Sequence, residues 1–391
     1  MPTILTNFGP GFGPFVRTLD MARELTAQLK ILGEESIDIL IPGVFGEGQL
    51  RIIREQTFND PCLRQRIFLS DDLGKCLEPL MFSDGDFNQH MLRFLGSYPR
   101  QQEKWNSLLT SRLSVTDIEG SPSTIDPETL TIEISRNPVI RSPIEFSYFT
   151  AIESQASIFE AILEEPDTIE GVDLGSVEEM LPFATEVERA FRLHFLPTIR
   201  TLSWRQDSTP RFPAERVTPP LIPMPVSPTE PLVEGLYISQ SGIGGLQSLY
   251  EEAFCLPGRI YTNRAHTSVP VDQIVPPRFI AHPAIIWAYA RAAWNTIWLA
   301  NLTSTPLICP THIERDHPEI FFNIRTVEQL GLAAIWDPAH EPLEEFLERL
   351  DREPLLSNQR SIYNSILEEF GTLDGIEYCA RQIVEDYVHG C

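Results

Sequence analysis

The stretch His282-Pro283-Ala284-Ile285-Ile286-Trp287-Ala288-Tyr289-Ala290-Arg291-Ala292-Ala293-Trp294-Asn295-Thr296, followed by Thr305-Pro306-Leu307-Ile308-Cys309-Pro310, decides the fold. Its aromatic and alanine run from Trp287 to Trp298 reads as a buried helix, with Trp287 and Trp298 in the core and Trp294 open between core and ligand. From Ala292 to Ile313 no side chain is formally charged, yet Asn295, Asn301, Pro306, Pro310 and His312 interrupt the run. It does not read as a membrane span.

Upstream lies a strand Gly235–Ser239, a turn Ser241-Gly242-Ile243-Gly244-Gly245, a helix Leu246–Ala253 and a strand Arg259–Thr262. The same pattern opens the chain. A strand Thr3–Thr6 runs into Asn7-Phe8-Gly9-Pro10-Gly11-Phe12-Gly13, then a helix from Phe15 to Lys30 with Leu19, Ala22, Leu25 and Leu29 on one face, then a strand Ile37–Ile41. Between the two units, Pro210 to Pro231 holds eight prolines in twenty-two residues, which disfavours helix and interior strand and reads as a linker. The fold class is therefore α/β: two Rossmann-like, doubly wound domains facing across a cleft, at 1–209 and 233–391, joined by 210–232. Inside the first domain, Ile52, Phe82–Leu95, Trp105–Leu113 and Ser154–Leu163 read as helical and Thr129–Ile134 as a strand. The C-terminal end, Pro342–Leu350 and Arg360–Val388, reads as acidic helix.

Charge narrows the partners. Against 30 Lys and Arg stand 55 Asp and Glu, a formal charge of −25 shared as −13 up to Val217 and −12 after it, which argues against nucleic acid and against strong binding to an anionic membrane. Lysine chemistry has few candidates, since Lys30, Lys75 and Lys104 are the three lysines. The six cysteines show no C-x-x-C spacing and read as reduced thiols of a cytoplasmic protein, and the N-terminus has no signal-peptide pattern.

A glycine-rich turn after a strand is where an α/β protein gathers backbone N–H groups and a helix N-terminus on an anion. Neither turn is a Walker sequence, and the first lacks the acidic residue of a full dinucleotide fingerprint. The stretch from His282 to Pro306 keeps gapless register with a known signature: H-P-A, seven residues, a family-typical His, C-G-W-N-S, and a later G-V-P before an acidic residue and Gln. The chain thus resembles the nucleotide-sugar-dependent glycosyltransferases of GT-B fold, with a UDP-glycosyltransferase-like donor signature. Gly13 through Leu25 also aligns with that family's first glycine turn and helix.

The resemblance implies a nucleoside diphosphate sugar, UDP-linked, in the second domain and an acceptor in the first, and the −13 charge there argues for a soluble or small apolar acceptor. The nucleotide sugar is a co-substrate, so no cofactor and no metal is expected. The diphosphate would sit over Trp294, Asn295 and Thr296, with Arg291 in place of the phosphate-binding His, where a guanidinium fork suits a diphosphate. Ser239, Ser241 and Gly242 would close on it from the second turn, and Gly11, Phe12 and Gly13 would form the acceptor and phosphate turn. Sugar hydroxyls would fall to Asp316, with Glu314, His317 and Glu319 as the other candidates; alternatively Asp316 to Glu319 caps the following helix.

Three positions depart from the family. Pro14 stands where the base is commonly His, Leu299 where a Glu binds ribose, and Gln273 near the Trp that stacks on uracil. The family implies inversion, and an attacking hydroxyl still needs a base unless it is itself acidic. Asp84, in Ser83-Asp84-Gly85-Asp86, is the catalytic candidate, weighed against a solvated turn leading into a helix. Two other readings stay open: a nucleotide-sugar epimerase or hydrolase of the same fold, and a non-catalytic sugar-nucleotide-binding module.

Overall fold

The structure is a computed structural model that describes residues 2–390 except 35, 82–86, 152–153, 167, 198–209, 242–245 and 315. The first sheet is built from β1 (Thr3–Phe8), β2 (Asp38–Pro42), β3 (Ile67–Ser70), β4 (Leu113–Asp117), β5 (Pro122–Ile125), β6 (Leu130–Arg136), β7 (Phe146–Phe149), β8 (Leu193–Pro197) and β9 (Glu215–Thr218). Their order is β5-β4-β3-β2-β1-β6-β7-β8-β9, and every pairing is parallel except those on either side of β4. The second sheet holds β10 (Gly235–Ser239), β11 (Ile260–Thr262), β12 (Ile285–Ala290), β13 (Leu307–Pro310) and β14 (Ala334–Trp336), all parallel in the order β11-β10-β12-β13-β14.

Each sheet reverses its direction of growth once near its middle, between β1 and β6 in the first and between β10 and β12 in the second. Connections leave opposite faces there and open a crevice beyond the carboxyl ends of the two strands, where open α/β sheets bind ligands. The first crevice receives the turn after β1, and the second receives Ser241 after β10 and Arg291 after β12. One apolar core runs from the first sheet through Trp294, Ile297 and Trp298 to Val327.

Three expectations change. The run Trp287–Trp298 is not one helix: Ile285–Ala290 is the central strand β12, and a helix begins at Trp294. A parallel strand covered on both faces is continuously apolar, so its pattern does not separate it from a buried helix. Within the proline-rich stretch, Glu215–Thr218 is β9, an edge strand, which is where proline-flanked segments are tolerated. After the second turn the expected helix is a 3₁₀ turn, Gln247–Tyr250, running into a short helix, Glu251–Phe254.

The last helix, Gly375–Gly390, returns to the first domain. Asp386 accepts from Tyr148 Oη at 2.9 Å and from Arg192 Nε at 2.5 Å, and Gln28 Nε2 donates to the Glu377 carbonyl at 3.3 Å. Its first residue lies against Pro219 and Pro220, where any Cβ would meet their carbonyls.

Beneath the first turn, Glu133 of β6 is fully buried between β1 and the long helix Phe87–Leu109. Its Oε1 accepts from Asn7 Nδ2 at 3.0 Å and from Ser142 Oγ at 2.6 Å, and Ser142 Oγ in turn accepts from Trp105 Nε1 at 2.9 Å. Oε2 has no partner among the described residues, and burial pushes the carboxyl up to about 7 from 4.5. A folded-state value above the unfolded one means that the native chain holds the extra proton between those pH values, so stability falls as pH rises from 4.5 through 7. Glu133→Gln is expected to remove this loss, about 3 kcal/mol at most, raising stability at pH 8 far more than at pH 5. Urea melts of both proteins at the two pH values check it; an equal change at both would place the cause in packing.

Candidate functional site

The first turn meets the signature helix across the cleft. Gly11, with φ 97°, precedes the helix Phe12–Ile31, and a Cβ on Gly13 would come within 3.0 Å of Asn295 Nδ2. A side chain here would crowd the Asn295 amide, so glycine leaves room for this approach. Beside it the Phe12 ring is 43% exposed, packed on Phe45 at 4.6 Å between centroids, with Phe8 and Phe15 buried behind. This aromatic shelf lies at the carboxyl ends of β1 and β2. Pro14 offers no side chain that can exchange a proton.

On the second-domain side, β10 and β12 run in register with Ser239 opposite Ala290, which delivers Ser241 and Arg291 to the same edge. Arg291 and Asp316, singled out separately in the sequence, form one bidentate pair: Nε to Oδ2 at 3.0 Å and Nη2 to Oδ1 at 2.7 Å. Arg291 Nη1 also reaches Ser241 Oγ at 3.3 Å. The helix Trp294–Leu302 begins three residues later, and no side chain caps its N-terminus. Its first turn therefore presents N–H groups and the positive end of its dipole to the crevice. Trp294 is buried, Asn295 and Thr296 half-buried, and Trp294 Nε1 and Asn295 Oδ1 have no hydrogen-bond partner among the described residues. His282 is a structural clasp: Nδ1 accepts from Ala284 N–H and Nε2 meets the Glu230 carbonyl, each at 3.0 Å.

Of the two readings weighed for Asp316 to Glu319, the geometry bears on the capping one. His317 caps the helix Pro318–Gln329, accepting from Glu319 N–H at 3.0 Å, while Asp316 Oδ1 accepts from His317 N–H at 2.8 Å. Asn323 Nδ2 joins the group to the signature, donating to the Ala292 carbonyl at 2.9 Å and to Glu319 Oε1 at 3.1 Å. Burial, with Arg291 adding to it, pushes His317 down to about 3, and burial with Arg93 takes His90 to about 4. Both rings are neutral at physiological pH. Burial raises the Glu319 carboxyl against the pull of Arg291. Phe87 of the first domain stands edge-on to His317, 5.1 Å between centroids, so this cluster is also on the seam.

Beyond the loop after β13, a cleft of about 550 Å³ opens between Thr168–Glu170 of the first domain and His312, Glu314, Phe321 and Arg325 of the second. Arg325 closes one side, its two terminal nitrogens each 2.9 Å from a Glu165 oxygen. Asp84 and Gly242 lie outside the described residues. Sequence reading missed the Phe12–Phe45 shelf and the role of Asn323. Phe8, Phe12 and Phe15 around one turn were the available signal for the shelf; nothing local marks Phe45 as their partner. Among the described residues no group of three His, Cys, Asp or Glu side chains is placed to hold a metal, and no helix is long and apolar enough to cross a membrane.

No protein-family model matches the chain, and no curated protein matches it in sequence. Solved structures match it along its whole length. One is a UDP-glucosyltransferase from Polygonum tinctorium capable of glucosylating indoxyl, at 13% identity and TM-score 0.59 over 99% of this chain and 98% of that one. Another is a Medicago truncatula protein complexed with UDP-glucose, at 12% identity and TM-score 0.58 over 99% and 98%. A third is the calicheamicin glycosyltransferase, at 13% identity and TM-score 0.55 over 100% and 98%. At such identities the likeness lies in the path of the chain. With two switch-point crevices meeting at Gly13 and Asn295, the chain is a protein of the GT-B fold.

Proposed function

We propose that the protein transfers a sugar from a UDP-linked nucleoside diphosphate sugar to the hydroxyl of a small, largely apolar acceptor, with inversion at the anomeric carbon. The observation that carries this reading is the contact of Gly13 with the uncapped helix at Asn295, which supports a donor and an acceptor crevice sharing one seam. The neighbours in structure support the same chemistry, one solved with UDP-glucose and one described as glucosylating indoxyl.

In this reading the diphosphate lies over the first turn of Trp294–Leu302, where aligned N–H groups stabilise the charge that grows as the bond to the sugar breaks. Ser239, Ser241 and Gly242 approach from the second turn, Arg291 from β12, and Asp316 faces the sugar hydroxyls. The acceptor rests on Phe12 and Phe45, and its oxygen attacks the anomeric carbon from the side opposite the diphosphate. Its proton goes to Asp84, or to solvent when the hydroxyl is acidic enough to ionise unaided. Pro14 and the filled fork of Arg291 favour a second reading, a module that binds sugar nucleotides without turnover.

A calorimetric and thermal-shift screen of UDP, dTDP, GDP and their glucose, N-acetylglucosamine and galactose conjugates tests it, because a ligand that binds the native state raises its stability by mass action. One nucleotide family is expected to bind, with turnover on adding small aromatic alcohols or phenols. Binding without turnover supports the module, and turnover without acceptor an epimerase or hydrolase. No binding by any of them overturns the donor assignment.

A further inference from the structure

Arg291 holds a fork of parallel N–H donors toward the crevice, and the chain itself fills it. Nε and Nη2 each bond a different oxygen of Asp316, at 3.0 and 2.7 Å, with the two side chains 9% and 3% exposed. Glu319, a second carboxyl, stands within electrostatic reach of the same guanidinium, and the nearby His317 is uncharged. The positive charge that an incoming anion would seek is thus already balanced from within the loop that follows β13. A carboxylate and a phosphate use such a fork in the same bidentate way, so the two cannot occupy it together.

We propose that Asp316 is a built-in competitor for the anion subsite at Arg291, and that it makes the site selective for a complete sugar nucleotide over a bare diphosphate. A phosphate oxygen pair exchanges with the carboxylate, and the displaced Asp316 must find new donors, since an unpaired buried carboxylate is costly. Sugar hydroxyls supply them; inorganic pyrophosphate and the spent nucleoside diphosphate do not. After transfer, Asp316 returns to the fork and helps expel the product. The sugar step of this scheme rests on the function proposed above, whereas the competition for the fork rests on the Arg291–Asp316 geometry alone.

Calorimetry with inorganic pyrophosphate, UDP and UDP-glucose on the wild type and on Asp316→Asn separates the two. Asparagine keeps the size of the side chain and an acceptor for the His317 N–H while removing the charge. Pyrophosphate and UDP are expected to bind the variant about tenfold more tightly, the scale of one close charge pair, and UDP-glucose to gain less. Asp316→Ser, a smaller neutral replacement, must shift pyrophosphate in the same direction, and it carries the test if the asparagine variant does not fold. Tightened pyrophosphate binding together with no binding of UDP to either protein would sustain the competitor and overturn the donor reading. Pyrophosphate affinity that is unchanged, weakened or absent in both proteins overturns the proposal, and weakening would make Asp316 a residue that orients Arg291.

Discussion

Replacing Arg291 with alanine is expected to destabilise the protein by about 3–5 kcal/mol and to remove its affinity for pyrophosphate. Deleting one member of a buried ion pair strands the other, and the stranded group here is Asp316, 3% exposed in its side chain. The loss extends to Glu319, which loses the nearby cation that opposes its burial. Because the cost is that of an orphaned charge, it should be largely recovered by a second change. Arg291→Ala with Asp316→Asn is expected to come within about 1–2 kcal/mol of the wild type in urea unfolding while still failing to bind pyrophosphate. Stability lost equally in the single and double variants would locate the damage in packing around β12.

Gly375→Ala is the second large effect, expected at about 3 kcal/mol of lost stability. A methyl group there would sit 2.2 Å from the Pro220 carbonyl oxygen and 2.6 Å from that of Pro219, and neither is a side chain that can rotate away. Relief requires the helix Gly375–Gly390 to back off the first sheet, loosening the buried Cys379, Ala380 and Ile383. Gly96→Ala is the control: it lies within a helix with nothing in 4 Å of the added carbon, and is expected to raise stability by about 0.5–1 kcal/mol. Thermal and urea unfolding of both variants should move in opposite directions; a neutral Gly375→Ala would mean that the last helix is loosely held.

Much of the candidate site was legible because a crevice at a strand–turn–helix junction is written locally. A strand, a glycine turn and a helix in direct succession mark the first crevice, and the gapless run from His282 to Pro306 marks the second. Arg291 and Asp316 were each readable from that run, but their bond was not. It spans 25 positions and depends on how the β13 loop folds back over β12. The helix expected over Trp287–Trp298 became strand and helix because burial on both faces erases the period that separates the two. Phe45 was invisible as a site residue because it reaches Phe12 only once β2 pairs beside β1, across the intervening helix.

The return of the last helix has a mechanical consequence. The chain passes between the domains twice, once after β9 and once at the turn before Gly375, and the two passages touch where Met224 N–H donates to Asp374 Oδ2 at 3.0 Å. The two halves are thus joined by a double crossing of backbone tied together by that bond, so a change at either crossing is felt at the other.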